Sequence, residues 1–159
     1  MTDKLSKEHR SWNMSRIRST NTKPELVVRS LLHRAGLRFR LHGKDLPGKP
    51  DLILPKYKTV IFVHGCFWHR HEGCKDASTP RTRTEFWQKK FTGNVERDKK
   101  VRLLLEETGW NVLVIWECEI NKNSDKIVHR IFQELHLLGE LYQLIEKSKT
   151  GGTDQLRPL

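Results

Sequence analysis

Cys66, His71, Cys74 and Cys118 offer three thiolates and one imidazole, the donor set that tetrahedral structural zinc prefers. The first three fall within nine residues, in a segment with too little apolar content for a core of its own. Cys118 comes from the end of a distant strand, so a metal would tie the segment to the sheet. His69 and Glu72 compete for a ligand place. An extended segment would point His69 and His71, two positions apart, the same way. A set closed by three cysteines and one histidine leaves one histidine over for other chemistry. The plainer reading is a core thiol at Cys118 and two incidental cysteines.

A second group carries hard donors. Pro50-Asp51 opens the apolar stretch DLIL, and a carboxylate at a strand start in a basic α/β domain suits one ligand of a nuclease's divalent cation. Phosphodiester hydrolysis needs a hard cation on a non-bridging oxygen, a positioned water and a base for its proton. Asp51 could hold the cation, with Glu25, His64, His69 and Asp98 at hand to position water and move protons. Restriction-type nucleases usually follow Pro-Asp with an acidic-x-lysine triplet on the next strand. Here that place reads Val63-His64-Gly65, with neither carboxylate nor lysine. Histidine in place of lysine is chemically workable, because it titrates near neutrality. The competing view is that Asp51 only caps a turn and His64 only packs.

The elements that must position these groups are legible in outline. TKPELVVRSLLHRAG predicts a helix, with Thr22 as its cap, Pro24 in its first turn and Gly36 at its end. Its expected apolar face is Leu26, Val27, Leu31 and Leu32, and Glu25 lies where the helix dipole favours a carboxylate. LRFRLHG, DLILP and TVIFVHG predict three strands, the last two a hairpin. Cys66 to Thr82 reads as irregular. A helical run follows from Thr82 through Lys90, and Asn94 caps a second helix closed by Gly109. WNVLVIWEC predicts a buried strand, and Asp125 to Ser148 one long amphipathic helix. This order indicates a mixed sheet flanked by helices in a single α/β domain.

The chain has 159 residues, room for one domain, and a net charge of +11 from 30 basic and 19 acidic residues. Such a surplus creates a field suited to a polyanion, without base specificity. No run of about 18 apolar residues is present, which excludes a spanning helix. The opening MTDKLSKEHRSWN lacks the apolar stretch of a secretion signal. An odd cysteine count without such a signal argues for a reducing, cytoplasmic setting. Ser6 to Ser19 is helix-compatible but weakly periodic, with Trp12, Met14 and Ile17 as its apolar residues. Residues 1–20 therefore read as an arm that orders on a partner, 21–148 as the domain, and 149–159 as a flexible tail.

LPGKPDLIL, VIFVHGCFWHRHEGC, TRTEFW, NVERDKK and GWNVLVIWEC together resemble the very short patch repair (Vsr) endonucleases. They run in family order from about residue 10 to about residue 118. The resemblance implies a restriction-endonuclease-like mixed sheet flanked by helices, with a structural zinc site. The activity it implies is a strand-specific, Mg2+-dependent nick 5′ of the thymine of a T:G mismatch left by deamination of 5-methylcytosine. By this resemblance Asp51 and the main-chain carbonyl of Val63, often threonine in the family, hold the magnesium. His69 is the base, Asp98 orients it, His64 lies beside the phosphate, and Glu25 meets the metal through water. Cys66, His71, Cys74 and Cys118 fall on the zinc ligands, with Gly73 an extra residue before Cys74. Phe67, Trp68 and Trp87 match aromatics that wedge into the base stack, and the arm matches a segment that clasps double-stranded DNA. Implied partners are mismatch-repair proteins and a repair polymerase, with the nuclease acting as a monomer. Two readings from other classes stay open: a non-catalytic zinc-stapled DNA-binding module, and a restriction-type nuclease on matched DNA.

Overall fold

Residues Thr59–His64 are mostly β-branched and aromatic, a composition that fits a pleated, two-sided surface, and they form the inner strand β3. The computed structural model describes residues 6–150. The first five residues of the expected arm, and the tail from 151 onward, lie outside them. In chain order the helices are α1 (Lys7–Ser15), α2 (Lys23–Arg34), α3 (Cys66–His69), α4 (Thr84–Glu107), α5 (Glu117–Lys122), α6 (Ser124–Glu134) and α7 (Leu138–Thr150). Short strands β1 (Arg40–Leu41) and β2 (Leu52–Leu54) precede β3, and β4 (Asn111–Trp116) follows α4. The sheet order is β1-β2-β3-β4. β1 and β2 pair antiparallel, β2 and β3 form the expected hairpin, and β3 and β4 run parallel with His64 opposite Trp116. The mixed α/β class expected from the sequence is the observed one.

Alternation along the strands divides the core in two. Leu52, Leu54 and Ile61 pack with Val28 and Leu32 of α2 and with Ile127 and Ile131 of α6. On the other face Ile53, Val60 and Val112 pack against Leu105 of α4, with Phe62 alongside. Helices on both faces of the sheet are what hide the two apolar sides of β3. No helix among the described residues is long and apolar enough to cross a membrane.

Five expectations about elements are corrected. The helical runs on either side of Asn94 are one helix, α4, which passes through Gly93 and Asn94 without a break. Glycine costs a helix only about 1 kcal/mol, and the buried contacts of Phe91 and Leu105 on the body of the protein outweigh it. The long C-terminal helix is two helices, because His136 takes a left-handed φ of 57°. His136 and Leu137 donate their N–H groups to Gln133 and Phe132 carbonyls, a Schellman closure with histidine where glycine is usual. On α2 it is Val28 that is buried while Leu26 is exposed. LRFRLHG contributes only the two residues of β1. The segment after Cys66 is also less irregular than expected, since it holds the single turn α3 and a 3-10 turn at Lys75–Ala77.

Candidate active site and metal centres

Parallel pairing of β3 and β4 ends both strands at the same edge, and helix α3 or α5 begins within two residues of each end. Cys66 opens α3 and Cys118 lies in the first turn of α5, just past the strand on which it was expected. Residues far apart in sequence are thereby side by side. The four donor atoms of Cys66, His71, Cys74 and Cys118 all lie within 4.8 Å of one another. His71 Nδ1 is 3.7 Å from Cys66 Sγ and 3.3 Å from Cys118 Sγ. Ordinary zinc bonds in a tetrahedron put such neighbours about 3.6 Å apart, so the donor set fits zinc in chemistry and in spacing. Gly73 has a left-handed φ of 69° and nothing near its absent Cβ, so the extra residue is absorbed in a turn. Burial pushes the Cys66 thiol up to about 12 and raises Cys118 as well. Cys74 is lowered, chiefly by the backbone N–H of Asp76. Thiols held protonated by burial deprotonate when a cation takes the proton's place.

His69 and His71 do not point the same way. Arg70, with a left-handed φ of 56°, turns the chain between them. His71 faces the cysteines, while His69 Nδ1 lies 2.6 Å from Asp98 Oδ2 on α4. An ionised carboxylate only accepts, so the bridging proton sits on Nδ1, and the neutral tautomer of this ring is the one with its lone pair on Nε2. The His64 ring stacks on His69, with centroids 3.8 Å apart and planes 10° from parallel. Burial, then the neighbouring His69, lowers the His64 pKa to about 4. It is therefore a neutral ring at pH 7. Trp116 joins the two centres: it stacks flat on His71 at 4.2 Å and meets His64 edge-on at 5.4 Å. Glu72, the other competitor for a metal place, is exposed and outside every such group.

Asp51 is bonded across the strand end, its Oδ2 accepting from the Val63 N–H at 2.8 Å. Burial raises its pKa to about 6, against the pull of that N–H. Glu25, 3% exposed, and His42 bring donor atoms within 4.8 Å of one another and of Asp51. Thr22 heads α2 as expected, but its hydroxyl donates to Glu25 Oε1 rather than capping a backbone N–H. Glu25 Oε2 accepts from the Asn21 N–H at 2.9 Å and from Arg29 at 3.0 Å. His42 reaches Asp51 because Gly43 lies so close to β2 that a Cβ there would stand 2.3 Å from Ile53 Cδ1. His42, Arg29 and Asn21 escaped the sequence reading. The one local sign was the glycine after His42.

Phe67, Trp68 and Trp87 are half-buried rather than freely exposed. Phe67 meets Trp68, Trp87 and Phe91 edge-on at 5.0–5.4 Å. Asn94, expected as a cap, is buried inside α4 and donates to the Trp68 carbonyl at 2.9 Å, fastening α3 to α4. The most exposed aromatic of this cluster is Phe86 at 48%. α1 buries none of its residues, and Trp12, Met14 and Ile17 at its end are all exposed.

A basic α/β domain with a buried carboxylate group and an Asp–His pair on either side of one strand end has the equipment of a metal-assisted hydrolase of phosphodiesters. Comparison with known proteins agrees on a DNA endonuclease. Residues 2–76 match the family model described as DNA mismatch endonuclease Vsr. The DNA mismatch endonuclease Vsr of Escherichia coli is 47% identical over 134 residues, 84% of this chain and 85% of its own. The type II nicking enzyme V.XorIIP of Xanthomonas oryzae pv. oryzae is 50% identical over 121 residues, 76% of this chain and 88% of its own. The type II nicking enzyme V.NmeAIP of Neisseria meningitidis is 46% identical over 124 residues, 78% and 88% of the two chains. This chain belongs to the Vsr family of DNA mismatch endonucleases.

Proposed function

We propose that the protein nicks one strand of a DNA duplex 5′ of the thymine in a T:G mismatch, the product of 5-methylcytosine deamination, and so starts very short patch repair. The observation that carries this reading is the division of labour at the end of β3: Asp51 bonded to Val63 on one side, His69 paired with Asp98 on the other. Family membership and the names of its nicking and mismatch-cutting relatives support the same activity.

The residues around Asp51 fit magnesium. The N–H and C=O of one strand residue point to the same edge. The Val63 carbonyl therefore faces the edge on which its N–H meets Asp51, which fits a carboxylate and a carbonyl on one cation. Valine serves there as well as threonine. When bound, magnesium supplies a positive charge to a non-bridging phosphate oxygen and to the charge that grows during cleavage. The chain's own groups do the rest. His69 Nε2 accepts the proton of the attacking water, and Asp98 holds the ring and steadies the imidazolium. Neutral His64, stacked on His69, adds no opposing charge as His69 becomes positive, and offers a donor beside the phosphate. Glu25, with both oxygens held by the protein, serves through water. Cys66, His71, Cys74 and Cys118 would hold a zinc ion, which would lock α3 to the strand ends and so fix His69. The fold is restriction-endonuclease-like in this reading, with the lysine of that pattern missing.

Phe67, Trp68 and Trp87 form a packed aromatic edge that can enter the base stack. A weakened T:G wobble pair lowers the unstacking cost of a few kcal/mol. The enzyme acts as a monomer in the cytoplasm, on DNA later taken up by mismatch-repair proteins and a polymerase.

The test is a denaturing-gel assay on end-labelled duplexes with magnesium, comparing T:G with C:G in identical flanks and Asp51→Ala as the blank. A nick on the thymine strand alone, absent from the blank, is expected. Equal cutting of matched duplex would replace the repair role with a restriction-type one. Tight binding without any cut would leave a non-catalytic DNA-binding module.

A further inference from the structure

β3 supplies no cation beside Asp51, since His64 and Gly65 follow Val63, yet the pocket around Asp51 does contain one, Arg29 of α2. Its Nη2 donates to Glu25 Oε2 at 3.0 Å and lies 3.3 Å from His42 Nε2, while Nη1 donates to Asn21 Oδ1 at 2.7 Å. The Arg29 and Glu25 side chains are 12% and 4% exposed, so this pair is largely enclosed, with Asn21 at the exposed rim of the fork. We propose that Arg29 is a positioning residue of the carboxylate centre, clamping Glu25, Asn21 and His42 so that Glu25 meets the hydrated cation in one orientation. The inference rests on the metal-dependent reading above.

Three further features bear on the assignment. Asn21 and His42 both carry left-handed φ angles, 56° and 49°, a conformation these two residue types adopt more readily than most. Arg29 touches both. The residues it joins come from three segments, the lead into α2, α2 itself and the loop after β1, and the His42 N–H donates to the Asp51 carbonyl at 3.3 Å. One guanidinium thus spans every segment that places a donor near Asp51 from that side. Arg29 Nε is also buried without a hydrogen-bond partner among the described residues, a desolvation cost that the contacts of the fork must offset. A planar fork can hold this geometry, whereas the ammonium of lysine restores the charge without the fork.

The experiment measures Mn2+ binding by electron paramagnetic resonance, on zinc-loaded full-length protein cleared of magnesium. The parent is expected to bind one Mn2+ that Asp51→Ala abolishes. Arg29→Gln and Glu25→Gln should each weaken binding about tenfold, the usual scale for a group that orients ligands, and the double variant should be no weaker than Glu25→Gln alone. Arg29→Lys, which keeps the buried charge and so guards against misfolding, should still bind several-fold more weakly than the parent. Parent-like affinity in Arg29→Lys overturns the proposal, as do additive losses in the double variant. Tighter binding in Arg29→Gln, the mark of a guanidinium that merely repels the cation, overturns it too. A parent without an Asp51-dependent signal brings down the metal reading beneath, which separates that failure from this one.

Discussion

The two candidate metal centres are held in opposite ways. Around Asp51 and Glu25 the protein's own N–H, hydroxyl and guanidinium groups fill the carboxylate oxygens. Around Cys66 and Cys118 the donor atoms have chiefly each other and His71, and burial keeps the thiols protonated. The first centre is preorganised by these contacts and would suit a cation that comes and goes. At the second, a metal would take the place of the thiol protons and would belong to the folded state. Preorganisation by the protein and dependence on an ion are alternatives, and the two centres differ in which they favour.

The sharpest attack on the first centre is Asp51→Ala. Nicking should fall by about 10⁴-fold, of the order of 5 kcal/mol in the barrier, with the melting temperature little changed; single-turnover kinetics beside a thermal melt reads both. Attack on the second centre should reverse the pattern. Cys118→Ser should release zinc and lower the melting temperature by on the order of 10 °C, whereas removing magnesium should leave the zinc in place. Equal melting temperatures and metal content in the parent and Cys118→Ser would make the cysteines incidental.

Protonation gives a third contrast. The Asp51 carboxyl is raised in the folded state from an ordinary 3.8 to about 6, so without metal it binds its proton more tightly folded than unfolded. Its ionisation then opposes folding as pH rises from about 4 to 6, by on the order of 3 kcal/mol. Metal-free Asp51→Asn should be more stable than the parent above pH 6, and the gain should vanish toward pH 4. Denaturant melts across that range, with and without Mg2+, decide it, since bound cation should erase the difference. His64 shifts the other way, and its imidazole should titrate near 4 by nuclear magnetic resonance. Between the centres, Asp98→Asn should lower the nicking rate about a hundredfold at unchanged zinc content, because His69 loses the charged, acceptor-only partner that sets its tautomer.

The smallest effect belongs to the aromatic edge formed by α3 and α4. Trp68→Ala should narrow the preference for mismatched over matched duplex by about tenfold, within the worth of one stacking contact. An unchanged preference in a competition assay would return Trp68 to a packing role.

What the chain settled locally was the type of each element and the chemistry of each donor. Pro24 and Gly36 bracket α2, the β-branched run makes β3, and the three cysteines with His71 announce a soft-metal set. These signals need only neighbours in sequence. Helix ends show where that stops. Gly36 and Gly109 closed α2 and α4 as read, but His136 closes α6 in the same left-handed geometry, which side-chain type alone does not announce. Asn94 carried the mark of a cap and serves as a buried tie to Trp68, since a helix already packed on both sides runs through it. The sequence offered the partnership of Cys118 with Cys66 as a donor set and that of Asp98 with His69 through resemblance, whereas that of Arg29 with Glu25, Asn21 and His42 came only from the tertiary structure. Parallel pairing of β3 with β4 and the packing of α2 and α4 on opposite faces set those meetings. They are decided by which apolar faces are buried together, a property of the whole chain that no window of sequence contains.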